Sequence, residues 1–111
     1  MLYKILVCLM VIRFVVGVRR PRDCLDLFNA GKRDDKEYTI YTNYNTSLNV
    51  QCDMTNGGWT IIAKKTSENI FSKGWNDYKN GFGNLNQSFW IGLDNMHVLT
   101  WRNKNCLRID L

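Results

Sequence analysis

Hydrophobic and polar residues alternate strictly in the stretch LNVQCD, which covers residues 48–53. Leu48, Val50 and Cys52 fall on one side of an extended chain, and the polar residues between them fall on the other. Because side chains alternate between the two faces of a β-strand, this pattern predicts a half-buried strand. A second apolar run, WTIIAKK, begins at Trp59 after a TNGG turn. Two extended runs joined by Asn-Gly-Gly predict a β-hairpin.

The two glycines of this turn have a specific use. Gly57 and Gly58 can adopt positive φ because they have no Cβ atom to clash with the backbone. Without a side chain they also allow the backbone of the turn to approach a neighbouring segment of the protein closely, while Trp59 is directed inward. We therefore expect Trp59 to be a core residue.

Aromatic residues further along the chain follow a helical spacing. Trp75, Tyr78 and Phe82 are spaced i, i+3 and i+7, which places them on one face of a helix. We expect this stripe to belong to the core and not to a ligand-stacking surface. Asn80-Gly81 is a typical helix end, because both residues tolerate a left-handed cap.

Several shorter patterns complete the predicted elements. The segment RDCLDLFNAG predicts a short helix that ends near Gly31, and YTIY predicts a strand. SFWIG predicts a short extended piece with Trp90 in the core, and LDNMHVLTW predicts a helix. Leu107, Ile109 and Leu111 alternate with polar residues in NCLRIDL, which predicts a final strand.

The N-terminal residues resemble a secretory leader. Lys4 precedes the apolar run ILVCLMVI, and Gly17 suits a cleavage site, although Arg13 interrupts the apolar pattern. We expect residues 1–17 to be a cleaved signal peptide, with no membrane insertion of the remaining chain. A retained anchor and a buried segment are the alternatives. Residues 18–22 are then a basic linker, which holds three of the arginines behind the net charge of +5.

The cysteine count agrees with an oxidising compartment. Cys8 lies in the leader, so Cys24, Cys52 and Cys106 remain after cleavage. Three cysteines imply one disulfide and one remaining thiol. Cys24 and Cys52 are the natural pair and would close a loop of about 30 residues, which stabilises the fold by about 3.5 kcal/mol in the chain-entropy description.

Catalytic and metal-binding patterns are scarce in this sequence. His97 is the only histidine, and it sits in a predicted helix nine residues from Cys106. The sequence has no C-x-x-C, phosphate-loop, H-E-x-x-H or D-x-D-x-D motif. We expect no enzymatic activity, no metal site and no nucleic-acid binding, with Asp34-Asp35 a solvated part of a charged loop.

Two N-x-S/T tripeptides lie in predicted turns. They begin at Asn45 and Asn86. In a secreted chain both are candidate glycosylation sites.

Taken in order, several motifs resemble the N-terminal half of a fibrinogen-related domain. They are the D-C start, CDM followed by GGWT, WNDYKNGFG, FWIGLDNMHVLT and LRIDL. The resemblance covers residues 23–111, which we interpret as a partial fibrinogen C-terminal domain. It implies an α+β fold, a truncated version of the fibrinogen C-terminal fold, with a twisted, mainly antiparallel sheet and short helices.

The resemblance also bears on the cysteines and on cofactors. Cys24 and Cys52 match the cysteines that form the first disulfide of that family. The calcium loop, the second disulfide and the main ligand pocket belong to the other half of the family domain. We therefore expect no cofactor in this chain. Cys106 is not typical of the family, so we expect either a free thiol or a disulfide-linked dimer.

The resemblance implies extracellular recognition. The first expectation is a secreted protein whose full-length relative binds acetylated sugars or microbial surfaces in a lectin-like manner. The alternatives are a signalling or matrix protein that binds a protein partner, and an incomplete gene product without independent function. Expected partners are thus extracellular glycans or cell-surface proteins. An unpaired LRIDL edge would favour poor solubility or pairing with another chain.

Overall fold

A computed structural model describes residues 20–43, 45–66, 69–101 and 103–111. The predicted signal peptide, residues 1–17, lies outside the described residues, as do the first two residues of the predicted linker. Within the described ranges, no helix is long and apolar enough to cross a membrane.

The described chain is a small α+β structure with two antiparallel sheets. Its helices are α1 (Cys24–Asn29), α2 (Trp75–Asn80) and α3 (Leu93–Thr100). Its strands are β1 (Glu37–Tyr41), β2 (Ser47–Asp53), β3 (Trp59–Ile61), β4 (Ala63–Lys64), β5 (Phe82–Gly83) and β6 (Phe89–Trp90). The strand orders are β1-β2-β3 and β4-β6-β5, and all pairings are antiparallel. The predicted fold class is confirmed, with two sheets where one was expected.

The predicted hairpin is present between β2 and β3. Gln51 pairs with Ile61, and Asp53 pairs with Trp59 across the Asn-Gly-Gly turn. The predicted second run does not continue as one strand, however. At Ile62 the chain leaves the first sheet, and the Ile62 carbonyl accepts a hydrogen bond from the Ile91 amide at 2.9 Å. The next two residues then pair with β6 in the second sheet.

Helix α1 begins at a side-chain cap and is joined to β2 by a disulfide. The Asp23 carboxylate accepts a hydrogen bond from the Asp26 amide at 2.8 Å, which satisfies a backbone donor at the helix start. Cys24 and Cys52 form a disulfide with their Cα atoms 5.6 Å apart. Both cysteines are buried in the main core, whose remaining members are Leu27, Ile40, Val50, Met54, Phe89 and Ile91.

Gly58 allows the hairpin turn to lie directly against α1. Its φ is +93°, and a Cβ atom there would lie 2.8 Å from the Cβ of Phe28 and 3.1 Å from the carbonyl oxygen of Cys24. Gly57 has a similar φ of +109°, but a Cβ atom on it would meet nothing within 4 Å. The two glycines of the turn therefore have different roles. Gly57 supplies only the backbone conformation, whereas Gly58 also makes room for the helix.

The aromatic stripe is only partly as predicted. Helix α2 ends at Asn80, so Phe82 lies on β5 and does not continue the helical face. Tyr78 still meets Phe82 and Trp90 edge to face, with ring centroids 5.1 and 5.4 Å apart. These three rings are half-buried beside the core, and Trp59 is half-buried as well. The prediction for Trp75 is wrong, because it is the first residue of a one-and-a-half-turn helix and is 69% exposed.

The predicted LRIDL strand is also absent. Residues 103–111 form neither helix nor strand. A strand requires a neighbour to receive its backbone hydrogen bonds. None of the described strands pairs with residues 103–111. Leu107 and Ile109 are 73% and 72% exposed, and Leu111 is exposed as well.

The two turn glycines provide a matched test of the contact between α1 and the hairpin. Gly57→Ala should lower the free energy of unfolding by about 1–2 kcal/mol, because it introduces left-handed strain alone. Gly58→Ala should cost about 1–3 kcal/mol more, since overpacking against Phe28 is added to the same strain. Urea unfolding of both variants measures the difference. Equal losses would show that α1 does not depend on the close approach at Gly58.

Candidate functional site

A cleft of about 260 Å³ opens between the two sheets and the start of α3. Strand β2, the β5–β6 hairpin and the residues that flank it form its walls. The lining is apolar at Leu48, Phe82 and Trp90, and polar at Asn49 and Asn95. Small-ligand sites combine aromatic surface with a few polar groups in this way, but they are usually larger and more enclosed than this open cleft.

The polar groups of the cleft are neutral amides. The Asn49 side-chain oxygen accepts a hydrogen bond from the Thr39 hydroxyl at 2.9 Å. The Asn95 side-chain nitrogen donates to the Ile91 carbonyl at 2.7 Å. Each amide has both donor and acceptor groups, so Asn49 keeps its nitrogen and Asn95 its oxygen for a further partner. These groups suit a neutral, amide-bearing ligand better than an anion.

Close backbone packing sets the wall formed by β5 and β6. Gly81 has φ +99°, and a Cβ atom on it would lie 2.6 Å from the Ile91 carbonyl oxygen. The Trp90 indole N–H donates to the Tyr78 carbonyl at 2.8 Å, which fixes the ring beside α2. Two contacts therefore position this wall, the packing of Gly81 against Ile91 and the hydrogen bond of the Trp90 indole. The hydrogen bond also holds the exposed part of the Trp90 ring in one orientation.

A second candidate surface is formed by residues 101 and 103–111, which carry several exposed apolar side chains and which we call the C-terminal edge. Its large side chains are exposed at Trp101, Leu107, Ile109 and Leu111. Between the last three, Arg108 lies over the Trp59 ring at 5.6 Å from the centroid and pairs with Asp110 at 2.9 Å. Arg108 thus contacts the first sheet at Trp59, while the apolar side chains of the edge lie in solvent. Groups of exposed apolar side chains often mark contact surfaces.

Asp35 has a structural role that the sequence reasoning missed. Its carboxylate accepts hydrogen bonds from the Met54 and Thr55 amides at 2.6 and 2.9 Å, and from the Thr55 hydroxyl at 2.5 Å. The Thr55 hydroxyl, followed by the backbone amides, lowers the pKa of this carboxyl below its ordinary value. Asp35 therefore holds the turn after β2, although it looked like part of a solvated loop. The only feature of the sequence that pointed to this role was the residue type, because Asp often accepts hydrogen bonds from backbone amides in turns.

The other predicted site residues are spread over the surface. Cys106 is an exposed free cysteine in the C-terminal edge. Asn45 and Asn86 are exposed in separate turns, and His97 is exposed on α3. In the described ranges, no three His, Cys, Asp or Glu side chains come together as a metal site would require. The structure thus brings none of these residues into the cleft.

Comparison with known families decides the classification. The family model for the fibrinogen beta and gamma chains, C-terminal globular domain, matches residues 20–111. The chain belongs to this fibrinogen C-terminal family. The resemblance read from the sequence motifs is confirmed.

Individual fibrinogen-related proteins support the same assignment. Human microfibril-associated glycoprotein 4 is 42% identical over 98 residues, which cover 85% of this chain and 38% of the relative. The fibrinogen-like globe domain of human ANGPTL2 matches with a TM-score of 0.62 and 37% identity, over 71% of this chain and 38% of that chain. A lamprey fibrin D-dimer complexed with a peptide ligand matches with a TM-score of 0.64 and 30% identity, over 71% and 27%. The chain spans less than half of each of these proteins.

The bonds of Asp35 make the stability of this fibrinogen-related chain depend on pH. Because folding lowers the pKa of Asp35, its contribution is present above the unfolded-state value of about 3.9 and is lost as pH falls through the lower folded-state value. Asp35→Asn should lower stability at pH 7 and weaken the loss on acidification below about pH 4. Urea unfolding between neutral and acid pH measures both effects.

Asp34→Asn is the matched control for this experiment, because none of the three bonds to the turn involves the Asp34 side chain. We expect it to leave both the stability and its acid dependence close to those of the unmodified chain. If Asp34→Asn and Asp35→Asn behaved alike, general loop charge, and not the bonds to Thr55, would account for the pH dependence.

Proposed function

We propose that this chain works outside the cell as a non-enzymatic recognition module that makes contact with another polypeptide. In this proposal residues 1–17 are removed as a signal peptide, residues 18–22 form a basic linker, and residues 23–111 contribute the fibrinogen-related domain. The buried disulfide supports an oxidising compartment. Membership of the fibrinogen C-terminal family supports a binding role.

The observation that carries the proposal is the exposed C-terminal edge. Leu107, Ile109 and Leu111 alternate with polar residues in a segment that forms neither helix nor strand, and all three are exposed. Burying each such side chain contributes about 1.5–3 kcal/mol. Because residues 103–111 belong to neither sheet, their backbone can also pair with a strand of another polypeptide. Another polypeptide supplies both the apolar surface and the backbone hydrogen bonds, whereas a sugar is rich in hydrogen-bonding hydroxyl groups but has little apolar surface.

The relatives offer support of the same kind. The lamprey fibrin structure is described as a complex with a peptide ligand. The human relative is named as a microfibril-associated glycoprotein. Both names describe an association with peptide or protein material, and we extend that class of partner to this chain.

A triple substitution tests the C-terminal edge. Leu107→Ser, Ile109→Ser and Leu111→Ser together should weaken association between copies of the chain about tenfold or more, because the apolar contribution to contact is lost. Sedimentation velocity in a Cys106→Ser background measures this without interference from disulfide exchange. A second copy serves as the polypeptide probe.

The control is a double substitution at polar positions of the same segment, Asn103→Ser and Lys104→Ser, because both residues are exposed and neither side chain takes part in the bonds of Arg108 or Asn105. It should leave the association unchanged, since neither residue adds to the apolar face. Equal weakening by both sets of changes would overturn the proposal that the apolar residues of this edge make the contact. A monomeric unmodified chain would exclude a second copy as the polypeptide partner.

A second candidate function is lectin-like binding of acetylated sugars, as expected for a full-length relative. The cleft favours it, because an acetamido group could use the remaining amide groups of Asn49 and Asn95 beside Trp90. Retention on an N-acetylglucosamine resin that is lost in Asn49→Ala with Asn95→Ala would support this function. Calcium-dependent retention would show that the described residues contain a metal-dependent pocket, contrary to our expectation.

The thiol of Cys106 completes the set of proposed contacts. Its exposure beside the apolar residues of the edge would allow two copies to be linked once they associate. Such a disulfide-linked dimer stays a prediction. Electrophoresis with and without reductant tests it directly.

A further inference from the structure

The two N-x-S/T tripeptides are alike in sequence but differ in the folded chain. Both lie in hairpin turns, one between β1 and β2 and the other between β5 and β6. Transfer of a glycan requires an accessible Asn amide and a hydroxyl two residues later. The solvent exposure of the hydroxyl residue therefore distinguishes the two sites, because Ser47 is exposed and Ser88 is buried.

The tripeptide at Asn45 is open to solvent throughout. Asn45, Thr46 and Ser47 are all exposed. The Asn43 side-chain oxygen accepts hydrogen bonds from the Asn45 and Thr46 amides at 3.0 and 2.9 Å, so the turn is organised by a residue outside the tripeptide. The Asn45 amide and the Ser47 hydroxyl thus remain on the surface after the hairpin has formed.

The tripeptide at Asn86 is built into the fold. Ser88 is 1% exposed, and its hydroxyl is bonded to the Thr66 amide at 2.9 Å and to the Thr66 hydroxyl at 2.8 Å. The Asn86 side-chain oxygen accepts a hydrogen bond from the Gln51 side chain at 3.0 Å. Presenting Ser88 to an enzyme would therefore require β6 to separate from the rest of the second sheet.

We propose that Asn45 carries an N-linked oligosaccharide and that packing of the β5–β6 hairpin against Thr66 and β2 keeps Asn86 unmodified. This inference rests on the proposed extracellular function, since the modification occurs on the secretory route. The co-reactant is a lipid-linked oligosaccharyl diphosphate. The Asn45 side-chain nitrogen bonds to the first sugar carbon, the bond from that carbon to the diphosphate oxygen breaks, and the amide proton passes to a base of the transferase.

Secretion of the full chain from cultured eukaryotic cells tests the proposal. Intact-mass analysis of the protein in the medium, before and after a peptide N-glycosidase, should show the mass of one oligosaccharide. Asn45→Gln and Ser47→Ala should each abolish that shift, whereas Asn86→Gln should leave it unchanged. A secreted chain with no glycan, or with glycans at both positions, would overturn the inference while leaving the extracellular role intact.

Delayed folding provides a second measurement. Cys24→Ser with Cys52→Ser removes the disulfide and keeps Ser88 accessible for longer, so whole-cell samples should gain a second glycan, at Asn86. Adding Asn86→Gln to this variant should remove it. If the disulfide-free chain still carried one glycan, the hairpin would not be what protects Asn86. If the unmodified chain never entered the medium, the proposed extracellular function would fail, and this inference with it.

Discussion

The disulfide between Cys24 and Cys52 ties the first helix to the second strand, and the rest of the first sheet is arranged around it. Both cysteines are buried, and the enclosed chain contains β1 and the loop with Asp35. Closing a loop of this length stabilises a fold by about 3.5 kcal/mol in the chain-entropy description. Two further contacts act on the same elements, because the Cys24 amide donates to the Thr60 hydroxyl at 3.0 Å and Gly58 admits α1 to the turn. In the part of the chain that the structure describes, the buried core has eight residues, so a covalent tie of this size is a large part of its stability.

The second sheet depends on the first through backbone contacts. The Ile91 amide bonds to Ile62 at the point where the chain passes between sheets, and the packing of Gly81 against Ile91 brings the start of α3 close. The cleft lies where these contacts leave space, and the rings of Phe82 and Trp90 border it. The C-terminal edge takes no part in either sheet. The two sheets and the disulfide therefore form the framework, and the C-terminal edge is a surface outside it.

Local signals in the sequence predicted the elements whose stabilising partners are close along the chain. The β2–β3 hairpin, α1 and α3 were all predictable, because turn glycines, a capping Asp and alternating residues act over a few positions. Trp75 and the LRIDL segment were mispredicted, because an apolar pattern shows which side chains could be buried but not whether another part of the fold covers them. Both are exposed in the structure. Asp35 was missed because its partners, Met54 and Thr55, are about 20 residues away. The cleft could not be predicted either, because its side-chain amides come from three separate elements, β2, the end of α2 and α3.

The most direct test of the central claim is peptide mapping of the secreted protein under non-reducing conditions. Proteolysis after blocking free thiols, followed by mass spectrometry, should yield one cross-linked species that joins the peptides of Cys24 and Cys52, with Cys106 absent from it. Recovery of Cys24 and Cys52 as blocked thiols, or of either one joined to Cys106, would contradict the account.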